Sequence, residues 1–218
     1  MTATDERVMF PVPGPDGDLL LEGALRLPGG ATPVAGVVVC HPHPLRGGDM
    51  HNNVVEALCE GLELAGIASL RFNFRGVGRS GGVHGHGEAE LDDVRAALAY
   101  LAARPEVDAA RCALAGYSFG ARAALRVAGD AGVPALLCVA PPMREPVAEV
   151  APQCPMLVVV GSQDQVLDND PAAYAARLPD PAALQVVQGT NHFWGGFEPV
   201  LVSVAREFFG KHLAGAGA

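Results

Sequence analysis

Cys112-Ala-Leu-Ala-Gly-Tyr-Ser-Phe-Gly-Ala-Arg-Ala-Ala-Leu125 is the stretch on which the fold turns. Its first four residues read as an apolar strand and its last five as a helix of small side chains, with Gly116-Tyr-Ser-Phe-Gly120 between them. A chain that passes from strand to helix through one serine bends sharply there, and the bend forces that serine into a strained backbone conformation. Glycine two positions to either side removes the Cβ atoms that would hold strand and helix apart. A serine that merely caps a tightly packed helix needs the same neighbours. Serine is scarce in this chain, however, standing only at 69, 80, 118, 162 and 203, so its place between the two glycines points to a hydroxyl presented for chemistry.

Outward from that point, runs rich in Val, Leu and Ala at 34–40, 68–74, 111–117, 134–140, 156–161 and 184–188 alternate with segments of helical period. The fold class is therefore α/β. The near-continuous apolar runs 34–40 and 156–160 predict strands covered by helices on both faces, hence a mostly parallel central sheet with right-handed crossovers. After Glu88, the spacing of Leu91, Val94, Leu98 and Leu101 predicts a helix with that stripe on the sheet and Asp92, Asp93 and Arg95 toward water. A last helix carries Phe197, Val200, Leu201, Val204, Phe208 and Phe209 on one face, with Lys211 and His212 where positive charge suits its dipole. Ahead of the sheet, residues 8–28 hold two strand candidates around Gly14-Pro-Asp-Gly17 and predict an antiparallel N-terminal edge hairpin. One domain spanning 1–218 is expected, with 211–218 as a frayed tail.

The bulk composition narrows the function. With 24 acidic against 15 basic residues the formal charge is −9, and no cluster of Lys and Arg interrupts it, which argues against a nucleic-acid partner. The longest apolar runs are far short of a membrane span, and the first residues lack the basic start and apolar stretch of a secretory signal, so a cytoplasmic location without membrane contact is expected. The five cysteines, 40, 59, 112, 138 and 154, are scattered and without metal or redox spacing, and read as reduced core residues.

A serine nucleophile needs a base, and the base needs an orienting acid. The chain supplies both past later strands, in the order Ser, Asp, His: Asp164 in Gly161-Ser-Gln-Asp164, and His192 in Gly189-Thr-Asn-His192. Asp168 and Asp170 stand near enough to compete with Asp164, which lies closest to the strand end, while Asp170 before Pro171 has the look of a helix cap. An oxyanion hole takes one backbone N–H from Phe119 and a second from His41-Pro-His-Pro-Leu45, where Pro42 and Pro44 have no N–H to give. That leaves His43, favoured by position, or Leu45. A metal-dependent hydrolase using His41 and His43 is the competing enzymatic expectation, but the further carboxylate and histidine ligands are not evident; His84 and His86 sit in a Gly-rich loop and are expected to be exposed. Gly76-Val-Gly78-Arg-Ser-Gly81 matches a dinucleotide fingerprint in spacing alone, since no helix opens until about Glu88; it reads as a flexible turn without a cofactor.

His41-Pro-His-Pro44, Phe74-Arg-Gly-Val-Gly-Arg-Ser80, Gly116 to Gly120 and His192-Phe193 together resemble small bacterial α/β-hydrolases related to dienelactone hydrolase, over about residues 34 to 209. The resemblance implies the α/β-hydrolase fold and a serine carboxylesterase-like activity on small-molecule esters, with no metal and no organic cofactor. Dienelactone hydrolase carries cysteine where this chain has Ser118, so lactone hydrolysis is not implied. The stretch from Ala140 to Pro155 is short and Pro-rich, so no cap domain is expected, and an open mouth bordered by Leu45, Phe119, Phe193 and Trp194 predicts short acyl esters over long lipids. A catalytically inactive hydrolase fold serving as a binding module is the alternative from another class. Thioesters and peptides share the same acyl-transfer logic. The oligomeric state is not legible in the sequence.

Overall fold

The computed structural model describes residues 5–14, 17–30, 32–143, 152–167, 174–180 and 182–214. Eight strands form: β1 (Asp5–Val12), β2 (Leu19–Arg26), β3 (Val34–Cys40), β4 (Ala68–Phe72), β5 (Val107–Tyr117), β6 (Leu136–Val139), β7 (Met156–Gly161) and β8 (Ala182–Val187). They make one sheet in the order β1-β2-β4-β3-β5-β6-β7-β8. The pairs β1/β2 and β2/β4 are antiparallel and all others parallel, as expected of a doubly covered sheet with an N-terminal edge hairpin. Burial follows position: every residue of β4 and β6 is buried, whereas the edge strand β8 is exposed or half-exposed along its length.

Among the described residues four helices pack on this sheet: α1 (Asn53–Leu64), α2 (Ala89–Ala102), α3 (Phe119–Ala131) and α4 (Glu198–His212). The sequence signals above do not include α1, whose start is fixed by the Asn52 side chain accepting the Val54 N–H at 3.0 Å. From β3 the chain steps to β4 on the hairpin side, then crosses back over β3 to reach β5. Right-handed crossovers in opposite directions place α1 and α2 on opposite faces. Consistent with that, α1 packs on α4 and α2 on α3. The reversal makes the loops after β3 and β5 diverge at the carboxyl edge, the position where open α/β sheets hold their ligands.

Three expectations are corrected here. Asp93 does not face water: it is fully buried, its carboxylate taking the Arg75 guanidinium at 2.6 Å and the Arg75 backbone N–H at 3.0 Å. Removing one member of such a buried pair leaves an uncompensated charge, at a cost of about 3–5 kcal/mol. The turn at 76–81 is not loose, because buried Ser80 donates to the Asn73 carbonyl at 2.6 Å and accepts the Glu22 N–H at 2.9 Å. The segment expected to fray from 211 is ordered at its start, since α4 runs through His212 and Leu213 is buried; residues 215–218 lie outside the described residues. So do 144–151, within the stretch expected to be too short for a cap.

Candidate active site

Ser118 sits between β5 and α3 at φ 51°, ψ −113°, a backbone conformation that L-residues with a Cβ rarely adopt. Holding it there costs on the order of 1–3 kcal/mol. The surroundings impose it: the Ser118 N–H donates to Val139 on β6 at 2.8 Å, and its carbonyl accepts the Arg122 N–H at 3.1 Å. The flanking glycines are required by close approach. A Cβ on Gly120 would lie 2.4 Å from the carbonyl oxygens of Cys40 and His41, and one on Gly116 would lie 2.5 Å from the Gly120 backbone. Strand β3, strand β5 and helix α3 thus meet without side chains between them.

The three side chains singled out at 118, 164 and 192 come together. His192 Nε2 lies 3.1 Å from Ser118 Oγ, and His192 Nδ1 lies 2.8 Å from Asp164 Oδ2. Both His192 and Asp164 are buried. The other carboxylate oxygen of Asp164 accepts the N–H groups of Val166 at 3.0 Å and Leu167 at 3.1 Å, which fixes the carboxylate against the imidazole. An ionised Asp164 in turn draws the ring proton of His192 to Nδ1 and leaves Nε2 as an acceptor facing the serine. Asp168 and Asp170 lie outside the described residues. Tyr117, which the sequence did not single out, donates its hydroxyl to the His192 carbonyl at 2.7 Å and clamps the loop that carries the imidazole. Its only sequence signal is its place beside the serine. Asn53 on α1 holds the same loop from the other end through the Phe193 carbonyl at 3.1 Å and Glu198 at 2.9 Å.

Among the described residues the Phe119 N–H, the first of α3, has no acceptor, and neither has the His43 N–H. The Leu45 N–H is engaged by the His43 imidazole at 3.2 Å. Of the two loop amides considered, His43 is therefore the one available to a ligand. His41 is occupied differently: Nδ1 donates to the Pro42 carbonyl at 2.6 Å and Nε2 accepts the Phe74 N–H at 3.0 Å. With both ring nitrogens used by backbone, His41 is not disposed to hold a metal with His43. Among the described residues no three His, Cys, Asp or Glu side chains group with metal-ligand spacing.

Burial lowers the pKa of His41 to about 4, against an ordinary 6.5. Between those values the unfolded chain binds a proton that the folded one does not, so stability is complete above about pH 6.5 and is lost as pH falls toward 4. This group alone is expected to cost about 2–3 kcal/mol between pH 7 and pH 4.5. Urea unfolding at both pH values checks it against His41→Gln, whose amide oxygen keeps an acceptor near Phe74: the variant should lose less stability by that amount, and equal losses would contradict the assignment.

A cleft of about 970 Å³ opens over these groups, lined among others by Pro42, His43, Ser118, Phe119, His192 and Phe193. The expected rim changes accordingly. Phe193 is 69% exposed and lines the cleft, while Leu45, 70% exposed, points outside it. Trp194 does not border the mouth: it is 0% exposed, packed into the core at φ 61°. An indole this large is held inside by the apolar area it removes from water. His84 is not exposed either. Its ring is buried in the cleft wall with Nδ1 2.7 Å from the buried Glu90 carboxylate, whereas His86 is exposed. Glu90 also accepts the Gly85 and Gly87 N–H groups at 2.7 and 2.8 Å. Burial raises its pKa, but these amides and His84 outweigh that and hold it below the usual carboxylate range.

Among the described residues no helix is long and apolar enough to cross a membrane. The profile of the serine aminopeptidase (S33) family matches residues 31–153, which include the loop after β3 and the serine turn but neither Asp164 nor His192. An α/β serine hydrolase homologue from Coxiella burnetii is 34% identical, with a TM-score of 0.80 over 95% of this chain and 97% of its own. A serine hydrolase without a lid from Xanthomonas campestris is 32% identical, with a TM-score of 0.84 over 99% of this chain and 98% of its own. The Pyrococcus furiosus esterase Pf2001 has a TM-score of 0.77 over 98% of this chain and 94% of its own at 18% identity, a likeness of fold alone.

Proposed function

Because the chain belongs to the serine aminopeptidase (S33) family of α/β serine hydrolases, we propose that it hydrolyses small carboxylic esters, with Ser118 as nucleophile, His192 as base and Asp164 as its orienting carboxylate. The observation that carries this is the continuous row Ser118 Oγ, His192, Asp164 at 3.1 and 2.8 Å, beside two unengaged amides. The ester class is supported by the resemblance to carboxylesterase-like hydrolases and by an esterase among the fold neighbours.

In the proposed reaction Ser118 Oγ bonds to the ester carbonyl carbon while its proton passes to His192 Nε2. The carbonyl oxygen becomes an oxyanion and takes hydrogen bonds from the Phe119 and His43 N–H groups; one such donor contributes about 3–4 kcal/mol to the transition state. Collapse breaks the bond to the alkoxy oxygen, which leaves as alcohol with the proton from His192. Water then adds to the acyl carbon, giving one proton to His192, and the bond to Oγ breaks as that proton returns to the serine. The net change is ester plus water to acid plus alcohol. Asp164 keeps its charge throughout and stabilises the imidazolium between steps.

A fluorophosphonate probe tests the nucleophile directly. Mass spectrometry of the treated protein is expected to place the adduct on the peptide containing Ser118, with hydrolysis of 4-nitrophenyl acetate lost in proportion and insensitive to chelator. Unlabelled protein that still hydrolyses the ester, or loses activity to a chelator, would favour the metal-dependent alternative. Neither label nor hydrolysis would favour a binding module.

A further inference from the structure

The wall of the cleft holds His84, and behind it Glu90, a second histidine–carboxylate pair that the proposed reaction does not use. Glu90 is fully buried. Burial disfavours its charge, but the Gly85 and Gly87 N–H groups, at 2.7 and 2.8 Å, hold the carboxylate ionised. His84 Nδ1 lies 2.7 Å from Glu90 Oε1, off the axis of an ideal hydrogen bond. An unprotonated Nδ1 would set its lone pair against that oxygen, so the proton of the neutral ring belongs on Nδ1 and Nε2 is left as an acceptor.

The neighbouring imidazole has the opposite polarity. His43 Nδ1 accepts the Leu45 N–H at 3.2 Å, so its own proton stands on Nε2 as a donor. Burial, and then His84 and Arg46, lower the pKa of His43 and keep that ring neutral. The two imidazoles lie 5.2 Å apart between centroids, and the Phe119 ring packs against both, at 5.2 Å from His43 and 5.8 Å from His84. Among the described residues neither Nε2 has a hydrogen-bond partner, neither is sealed from solvent, and both side chains line the cleft. A donor and an acceptor held side by side match a group that both accepts and donates. A hydroxyl is the smallest such group, and its two hydrogen bonds of about 2.8 Å bridge atoms roughly 4–5.5 Å apart, a span that suits these rings.

We propose that the substrate of this site is an ester or thioester with a hydroxyl group a few bonds from the scissile carbonyl, its oxygen accepting from His43 Nε2 and its O–H donating to His84 Nε2. The inference rests on the Ser118-centred hydrolase proposed above, in which the His43 N–H also meets the oxyanion; the same residue therefore keeps the hydroxyl close to the reacting carbon. A site built to hydrogen-bond a hydroxyl discriminates against an analogue that lacks it, because the protein groups are then left unpaired. Two matched pairs of esters test the proposal and separate the two sides of the ester. Racemic ethyl 3-hydroxybutyrate against ethyl 3-methylbutyrate exchanges hydroxyl for methyl on the acyl side. The pair 2-hydroxyethyl butyrate and propyl butyrate makes the same exchange on the alcohol side.

At about pH 8, kcat/KM for the hydroxyl member of at least one pair is expected to exceed its methyl match about tenfold or more. In His84→Phe, which keeps a ring and removes the acceptor, with an unchanged unfolding transition, that ratio is expected to fall to within about twofold of one. A role confined to packing would lower both members alike and leave the ratio standing, and that result overturns the proposal. Should His84→Phe not fold, His84→Asn, whose amide N–H can still face Glu90 while nothing remains at the Nε2 position, is expected to bring the same fall. Equal or faster hydrolysis of the methyl member in both pairs overturns the proposal as well. If none of the four esters is hydrolysed, fluorophosphonate labelling separates the readings: a labelled Ser118 overturns the hydroxyl site alone, and an unlabelled one overturns the Ser118 assignment with it.

Discussion

Ser118→Ala is expected to lower kcat/KM for 4-nitrophenyl acetate by roughly four to six orders of magnitude, the range seen when a hydrolase loses its nucleophile. The residual rate should be the modest part that oxyanion donors and substrate positioning supply by themselves. The same site gives a second, opposite readout in stability. Ser118 is held at φ 51°, ψ −113°, where any Cβ is strained. Alanine keeps that strain, so its unfolding free energy should stay within about 1 kcal/mol of the parent, whereas Ser118→Gly should be stabilised by about 1–2 kcal/mol. Chemical denaturation of the three proteins measures this. A Ser118→Ala enzyme within tenfold of the parent would remove the serine from the mechanism.

Asp164→Asn carries the second-largest effect, about 10³- to 10⁴-fold in kcat. The amide oxygen can still accept the Val166 and Leu167 N–H groups, so the loop should keep its shape. The amide nitrogen then faces His192 Nδ1 as a donor, where the carboxylate was an acceptor at 2.8 Å. Two donors cannot share that bond, so the imidazole is driven to the tautomer with its proton on Nε2, toward Ser118, and no longer accepts from the serine. KM should move little, because Asp164 is buried behind the histidine and is not part of the cleft lining. Asp168→Asn and Asp170→Asn are the comparison: each should stay within about threefold of the parent, and a loss at either position in place of Asp164 would reassign the orienting acid.

Much of this site was legible in the chain because its parts are written as short patterns. A serine between two glycines at a strand-to-helix step, and acid and histidine each just past a later strand, name three positions without reference to space. The apolar runs of β3 and β7 likewise announce strands covered on both faces. What misled was polarity treated as exposure. Asp93 lies on the same helix as Asp92, and only the approach of Arg75 makes its burial tolerable; His84, expected to be exposed, is drawn into the cleft wall by the Glu90 carboxylate. Trp194 misled in the opposite direction: beside a site histidine an aromatic residue looks like a rim, but a left-handed backbone turns the indole inward while Phe193 turns out. Helix α1 escaped notice although its cap and its buried residues follow ordinary rules.

From its sequence alone this chain determined the order of its elements, the small-residue turn that must hold Ser118, and the succession of serine, aspartate and histidine at strand ends. Those are local properties, set by side-chain period and by where glycine must replace a Cβ. Tertiary structure alone decided that these ends share one edge, that Leu45 spends its amide on His43, and that His84 stands beside His43 in the cleft wall. Each of those depends on strand order and on backbone N–H groups and charges drawn from distant segments, and a linear pattern does not encode which of them will meet.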